Sequence, residues 1–155
     1  MHTTPRPESD TLVIEQQVHA KPSEVFADLT VPDRMIRWWG DRSKWWLTSA
    51  GVDLRLDGRF WVLWENTKGE KDGMCGHFKN IERDRGFVIS FVGSHTKTHV
   101  DELAIRLEPE NVGTWMVLRH SGLAGRPERY ADYSRGCVSF REALIRWSRV
   151  STRGF

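Results

Sequence analysis

Asp101, His120 and Tyr133 lie on three separate segments and have side chains able to move or hold a proton. His120 shares strand parity with Met116 and Leu118, and Asp101 with Leu103 and Ile105, so both are expected to point inward. Tyr133 falls on the apolar side of a later helical pattern. A His/Tyr/Asp trio lining an apolar pocket could polarise a carbonyl or exchange a proton. The same groups also serve a plain binding pocket, where a few polar atoms orient an apolar ligand. Other candidate chemistry is weaker. Cys75 and His77 share a strand face in MCGHF, but a reactive thiol needs an electropositive, partly open setting, and a packed thiol is the preferred reading. His95 and His99 in HTKTH have a spacing that joins two metal ligands only on a helix, and this stretch reads as a loop entering a strand. No closed ligand set is visible, so neither a metal nor a cofactor is expected.

The segment RWWGDRSKWWLTS (37–49) holds Trp38, Trp39, Trp45 and Trp46, four of the eight tryptophans. Adjacent residues on a helix diverge by about 100°, which predicts that Trp38 and Trp39 cannot face the same way. On an extended chain, Trp45 and Trp46 point to opposite faces. Trp39 is expected to anchor the core, and one ring of each pair to reach a surface, a cavity wall or a partner. Basic residues among exposed aromatics can also mark nucleic-acid binding. However, the net charge is only +2, with 23 basic and 21 acidic residues intermixed, which argues against that class.

The remaining pattern supplies the elements that must position these groups. TLVIEQQVHA alternates as a strand with Leu12, Ile14 and Val18 on one face. Pro22 and Pro32 open two short helices, the second carrying Met35, Ile36 and Trp39 on one side. From Gly51 the period is two. Val52, Leu54 and Leu56 are expected to form one strand, turning at Asp57-Gly58 into Phe60, Val62 and Trp64. Further strand pairs are expected around ERDRG and EPENVG. The last pattern places Tyr130, Tyr133, Cys137, Phe140, Leu144 and Trp147 on one face of a long helix. A twisted antiparallel sheet wrapped around that helix would leave a cavity between them.

At 155 residues the chain suits one domain, read as 11–150 with a disordered lead-in at 1–10 and a tail at 151–155. MHTTPRPESD has no apolar signal-peptide region, and no run approaches the roughly 20 apolar residues of a membrane helix. The two cysteines, Cys75 and Cys137, are read as free thiols in a reducing cytoplasm.

This order of elements, with its local motifs, resembles the START-like (SRPBCC) superfamily. Within it, the chain looks like the family named for homology to the activator of heat-shock protein 90 ATPase. The resemblance is carried by QVHAKPSEVFADLTVPDRMIRWWG, VDLRLDGRFWVLW, GHFKNIERDRGFVISF and GTWMVLRHSGL, which together span most of the chain. It implies an α+β helix-grip fold, with a curved antiparallel sheet of about seven strands around a long C-terminal helix. It also implies a cavity, in a family whose members include ligand binders, carriers, stress proteins and co-chaperone-like domains. Related branches include aromatic cyclases and hydrolases, and no invariant catalytic set carries over. One departure is Gly136-Cys137, where the family has Gly-Trp; a thiol in place of an indole removes volume from the buried helix face.

The resulting expectation is non-enzymatic binding of an apolar or aromatic small molecule between sheet and helix. Trp39, Trp64, Phe78, Phe91, Met116, His120, Tyr133, Cys137 and Phe140 are the candidate lining, with Trp38, Trp45 and Trp46 around the mouth. One alternative is a cyclase, dehydratase or hydrolase using His120, Tyr133 and Asp101. The other is a stress-response, co-chaperone-like module binding a chaperone or a second copy of the chain through its tryptophans. No nucleic-acid or membrane partner is expected.

Overall fold

Alternation over residues 11–18 forms a strand in the computed structural model, which describes residues 11–93, 100–123 and 127–150. In β1 (Thr11–Val18), Leu12, Ile14 and Val18 are buried, as their shared parity predicts. Pro22 and Pro32 stand in the first turns of α1 (Pro22–Thr30) and α2 (Pro32–Trp38), where the missing N–H breaks no helical bond. Six strands follow: β2 (Trp45–Val52), β3 (Arg59–Asn66), β4 (Lys71–Glu82), β5 (Gly86–Gly93), β6 (Asp101–Pro109) and β7 (Thr114–Ser121). The helix α3 (Pro127–Val150) comes last.

All seven strands form one antiparallel sheet in the order β1-β7-β6-β5-β4-β3-β2. Successive connections carry the chain from β2 across to β7, and β1 then pairs along β7, with Ile14 opposite Leu118 and Leu118 opposite Ile105. Register shifts at Leu47/Ser49 and Phe78/Asn80 bend the ribbon, and the sheet curls as a half-barrel. Its inward face supplies Phe60, Phe78, Ile89, Leu107 and Met116 to a core that Phe26, Leu29, Phe140 and Leu144 complete from the helices. The helix-grip α+β expectation therefore holds. Among the described residues, no helix is long and apolar enough to cross a membrane. Residues 1–10 and 151–155, and the pair His95 and His99, lie outside the described residues.

Two connections fix the β1 side of the half-barrel. The Thr114 hydroxyl donates to the Ala20 carbonyl at 2.7 Å, and the His19 N–H donates to the Ser148 hydroxyl at 3.3 Å near the end of α3.

One strand differs from its expected bounds. The partner of β3 is Trp45–Val52, so the alternation of Val52, Leu54 and Leu56 does not continue as a strand. Residues 53–58 instead fold into a tight loop in which the Gly58 N–H donates to the Arg55 carbonyl at 2.9 Å and Asp57 adopts φ 62°. A Cβ at Gly58 would lie 2.1 Å from the Asp53 carbonyl oxygen, so the loop needs glycine there. The loop also docks on β4, with the Asp57 N–H donating to the Phe78 carbonyl and the Phe78 N–H to the Gly58 carbonyl. Leu56 is left 65% exposed.

Candidate functional site: a cavity between the sheet and the last helix

The α1–α2 corner sets one wall of the site. Asp28 is fully buried on α1, and Arg34 reaches it from α2 at 2.9 Å while also meeting Glu24 at 2.5 Å. The Trp38 indole N–H donates to the Asp28 carbonyl at 3.0 Å, which ties the end of α2 to α1. The helix then stops. Trp39 is its C-cap, with φ −78° and ψ 102°. The expectation that Trp38 and Trp39 diverge assumes that the helix continues through both. Because the backbone turns extended at Trp39, the two rings stack instead, with centroids 5.4 Å apart and 5° between planes. Phe140 of α3 meets both edge-on at 5.4 and 5.1 Å, and Trp64 of β3 meets Trp39 at 5.8 Å.

The chain reverses at Gly40, whose φ is 120°. There the Asp41 N–H donates to the Trp45 carbonyl and the Leu47 N–H to the Trp39 carbonyl, at 2.7 and 2.9 Å. The Ser43 side chain and N–H bond the Asp41 carboxylate and hold it below the usual carboxylate range. A Cβ at Gly40 would sit 2.5 Å from both the Trp45 carbonyl oxygen and the Trp46 Cα. Gly40→Ala is therefore expected to cost about 1–3 kcal/mol, read from urea denaturation, and to displace Trp45. Trp45 and Trp46 do point to opposite sides. Trp45 is 40% exposed at the mouth of the cavity, while Trp46 turns away beneath the Arg42 guanidinium, 5.4 Å from its ring centroid.

The cavity measures about 620 Å³. Its walls are mostly apolar, drawn from α1 (Leu29), the inward faces of β3 to β7, and α3 (Phe140). Lys44, Asp72, Asp132, Arg135 and Ser139 add a charged and polar fringe, within which Arg135 is paired with Asp132. At the β7 side is His120, buried, with Nε2 2.7 Å from the Asp101 carboxylate. The two residues are diagonal neighbours on one face of the sheet, since His120 stands opposite Leu103. The Tyr133 ring lies 4.2 Å from the His120 ring, and Phe91 meets His120 edge-on at 5.1 Å.

Of the residues expected to line the site, Trp39, Trp45, Trp64, Phe91, His120, Tyr133 and Phe140 share this cavity. Four do not touch it, each for a local reason. Trp38 is sealed behind Trp39, and Trp46 is on the other side of β2. Phe78 and Met116 have inward parity but are fully buried where the sheet closes on the core. The Cys137 side chain lies outside the described residues. Asp101 lies behind His120 and is not part of the lining. Leu29, Phe60, Met74, Phe87 and Leu118 belong to the wall and were not among the expected lining. Leu29 belongs to the apolar stripe of α1 and the other four have inward strand parity, but which inward side chains border a void depends on curvature. Cys75 and His77 are on the outer face, with the Arg59 guanidinium donating to the Cys75 sulfur at 3.3 Å. Among the described residues, no three His, Cys, Asp or Glu side chains gather as a metal site would require.

The family model described as activator of Hsp90 ATPase homolog 1-like protein matches residues 19–137, from the turn before α1 into the middle of α3. The chain belongs to this family. No curated protein is similar in sequence. Solved structures share the fold at low identity. A Mycobacterium smegmatis protein matches with TM-score 0.80 at 16% identity, covering 100% of this chain and 99% of that one. The AHSA1 protein of Silicibacter pomeroyi matches with TM-score 0.77 at 16% identity, covering 91% and 99%. An AHSA1-like protein of Aeromonas hydrophila matches with TM-score 0.67 at 23% identity, covering 86% and 91%. At these identities the likeness concerns the fold, and the chemistry must come from this chain's own residues.

Proposed function

We propose that this member of the family binds an apolar or aromatic small molecule in the cavity between the curled sheet and α3. The observation that carries the reading is the cavity itself. Its volume, about 620 Å³, falls within the range of small-molecule sites, and an apolar wall surrounds few polar groups. Burying ligand surface there would supply roughly 25 cal/mol per Å². Trp45 supports this reading over a protein contact, because its ring meets both the cavity and solvent, as a gate would.

Trp39, Trp45 and Trp64 border the cavity, so a bound fluorophore should accept their excitation energy. Titration with 1-anilinonaphthalene-8-sulfonate is expected to give saturable energy transfer at one site per chain. Ser139 is exposed on α3 at the edge of the cavity, so Ser139→Trp should obstruct it without disturbing the core. That variant is expected to weaken binding by about tenfold, or about 1.4 kcal/mol. Non-saturable transfer, or transfer that Ser139→Trp leaves unchanged, would contradict the reading.

A further inference from the structure

The polar groups bordering the cavity narrow the ligand class. His120 contributes two ring nitrogens, and one is already committed: Nε2 is 2.7 Å from the Asp101 carboxylate. An ionised carboxylate can only accept, so beside it Nε2 is the donor, and in the tautomer that donates from Nε2 alone Nδ1 is left as an acceptor. Asp101 does not line the cavity, so it acts from behind the ring, fixing tautomer and orientation together. Tyr133 and Phe91 pack against the same imidazole at 4.2 and 5.1 Å and limit its rotation. Phe91 stands next to the imidazole, and the rest of the same cavity wall is rich in flat rings, Trp39, Trp64 and Phe140 among them. Aromatic rings meeting edge-on or offset favour a planar aromatic guest.

We propose that the cavity selects a hydroxylated aromatic molecule, whose hydroxyl donates to Nδ1 of His120 while its ring system fills the aromatic wall. This rests on the binding function proposed above and adds the ligand class. An apolar guest without a donor would cover the imidazole nitrogen and leave it unsatisfied, a cost that a hydroxyl removes. Methylation of that hydroxyl keeps the oxygen and the ring but deletes the donor, so an ether should be discriminated against like the bare hydrocarbon.

Three probes of nearly equal shape test this on the full chain by equilibrium dialysis: naphthalene, 2-methoxynaphthalene and 2-naphthol. Wild type is expected to bind 2-naphthol about tenfold more tightly than either of the others. In His120→Phe, which keeps a ring but removes the acceptor, the three affinities should converge to within about twofold. A second measurement needs no variant: the ¹⁵N resonance of His120 Nδ1 should shift on adding 2-naphthol and stay in place with 2-methoxynaphthalene. Equal affinity of all three probes for wild type overturns the donor proposal and leaves the cavity reading standing. A preference for 2-naphthol that survives in folded His120→Phe, or an Nδ1 resonance that ignores 2-naphthol, also overturns it. Failure of all three to bind a folded protein removes both the cavity reading and the ligand class.

Discussion

Phe78→Ala is expected to lower stability by about 3–5 kcal/mol, at the costly end for a buried aromatic. Phe78 is fully buried and meets Phe60 and Phe87 edge-on at 5.8 and 5.7 Å. The cost of such a deletion depends on how far the surroundings can collapse into the gap. Here they are restrained, because both backbone groups of Phe78 are held by the 53–58 loop and β4 is bulged immediately after it. Phe91→Ala offers the contrast. Phe91 is equally buried, but its ring borders an existing cavity, so its removal enlarges a space that is already present. It should cost clearly less than Phe78→Ala while altering ligand affinity. Urea unfolding midpoints at unchanged m-value would rank the two. Equal losses would mean that the division between closed core and open cavity is wrongly drawn.

That division is where the sequence stops being informative. Period-two alternation identified the inward faces of β3, β5, β6 and β7, and the three–four spacing of α3 placed Phe140 and Leu144 against them. Parity has only two values, however, and does not separate a side chain in the core from one at a void. Phe78 and Phe60 share the inward face, yet only Phe60 reaches the cavity. The difference comes from curvature, to which the two register shifts contribute. The His120–Asp101 pair shows the same limit. Parity put both on the inner face, but the diagonal offset that sets Asp101 behind the imidazole needs the register of β6 against β7. The loop at 53–58 differs for another reason: Leu54 and Leu56 alternate like strand residues, but the reversal, with Asp57 at positive φ and Gly58 packed against Asp53, ends the strand at Val52, so that Leu54 still packs on the core while Leu56 is exposed.

Arg34→Met tests whether the stacked tryptophans depend on one charged contact. Asp28 is fully buried, and Arg34, itself partly exposed, reaches it at 2.9 Å. Removing one partner of a buried pair leaves the other charge uncompensated, at a cost of about 3–5 kcal/mol. The open side of Arg34 and the remaining bonds of Asp28 place the expected loss near the lower figure. Glu24 adds to it, because the same guanidinium lies 2.5 Å from that carboxylate, and losing the arginine leaves two acids at the corner. The effect should not stop at stability. Asp28 also receives the Trp38 indole N–H on its carbonyl, Trp38 stacks on Trp39, and Trp39 forms part of the cavity wall. Loosening α1 from α2 would therefore blur the wall formed by Trp39, Trp64 and Phe140, and weaken the binding of an aromatic probe in a protein that still folds. Asp28→Asn in the Arg34→Met background should recover more than half of the lost stability, since the amide keeps the shape and removes the stranded charge. A double-mutant cycle in urea measures this coupling. Recovery of stability with the Trp39 fluorescence environment restored would identify charge compensation at Asp28 as the support of the wall. No recovery would instead assign the loss to the packing of the arginine stem.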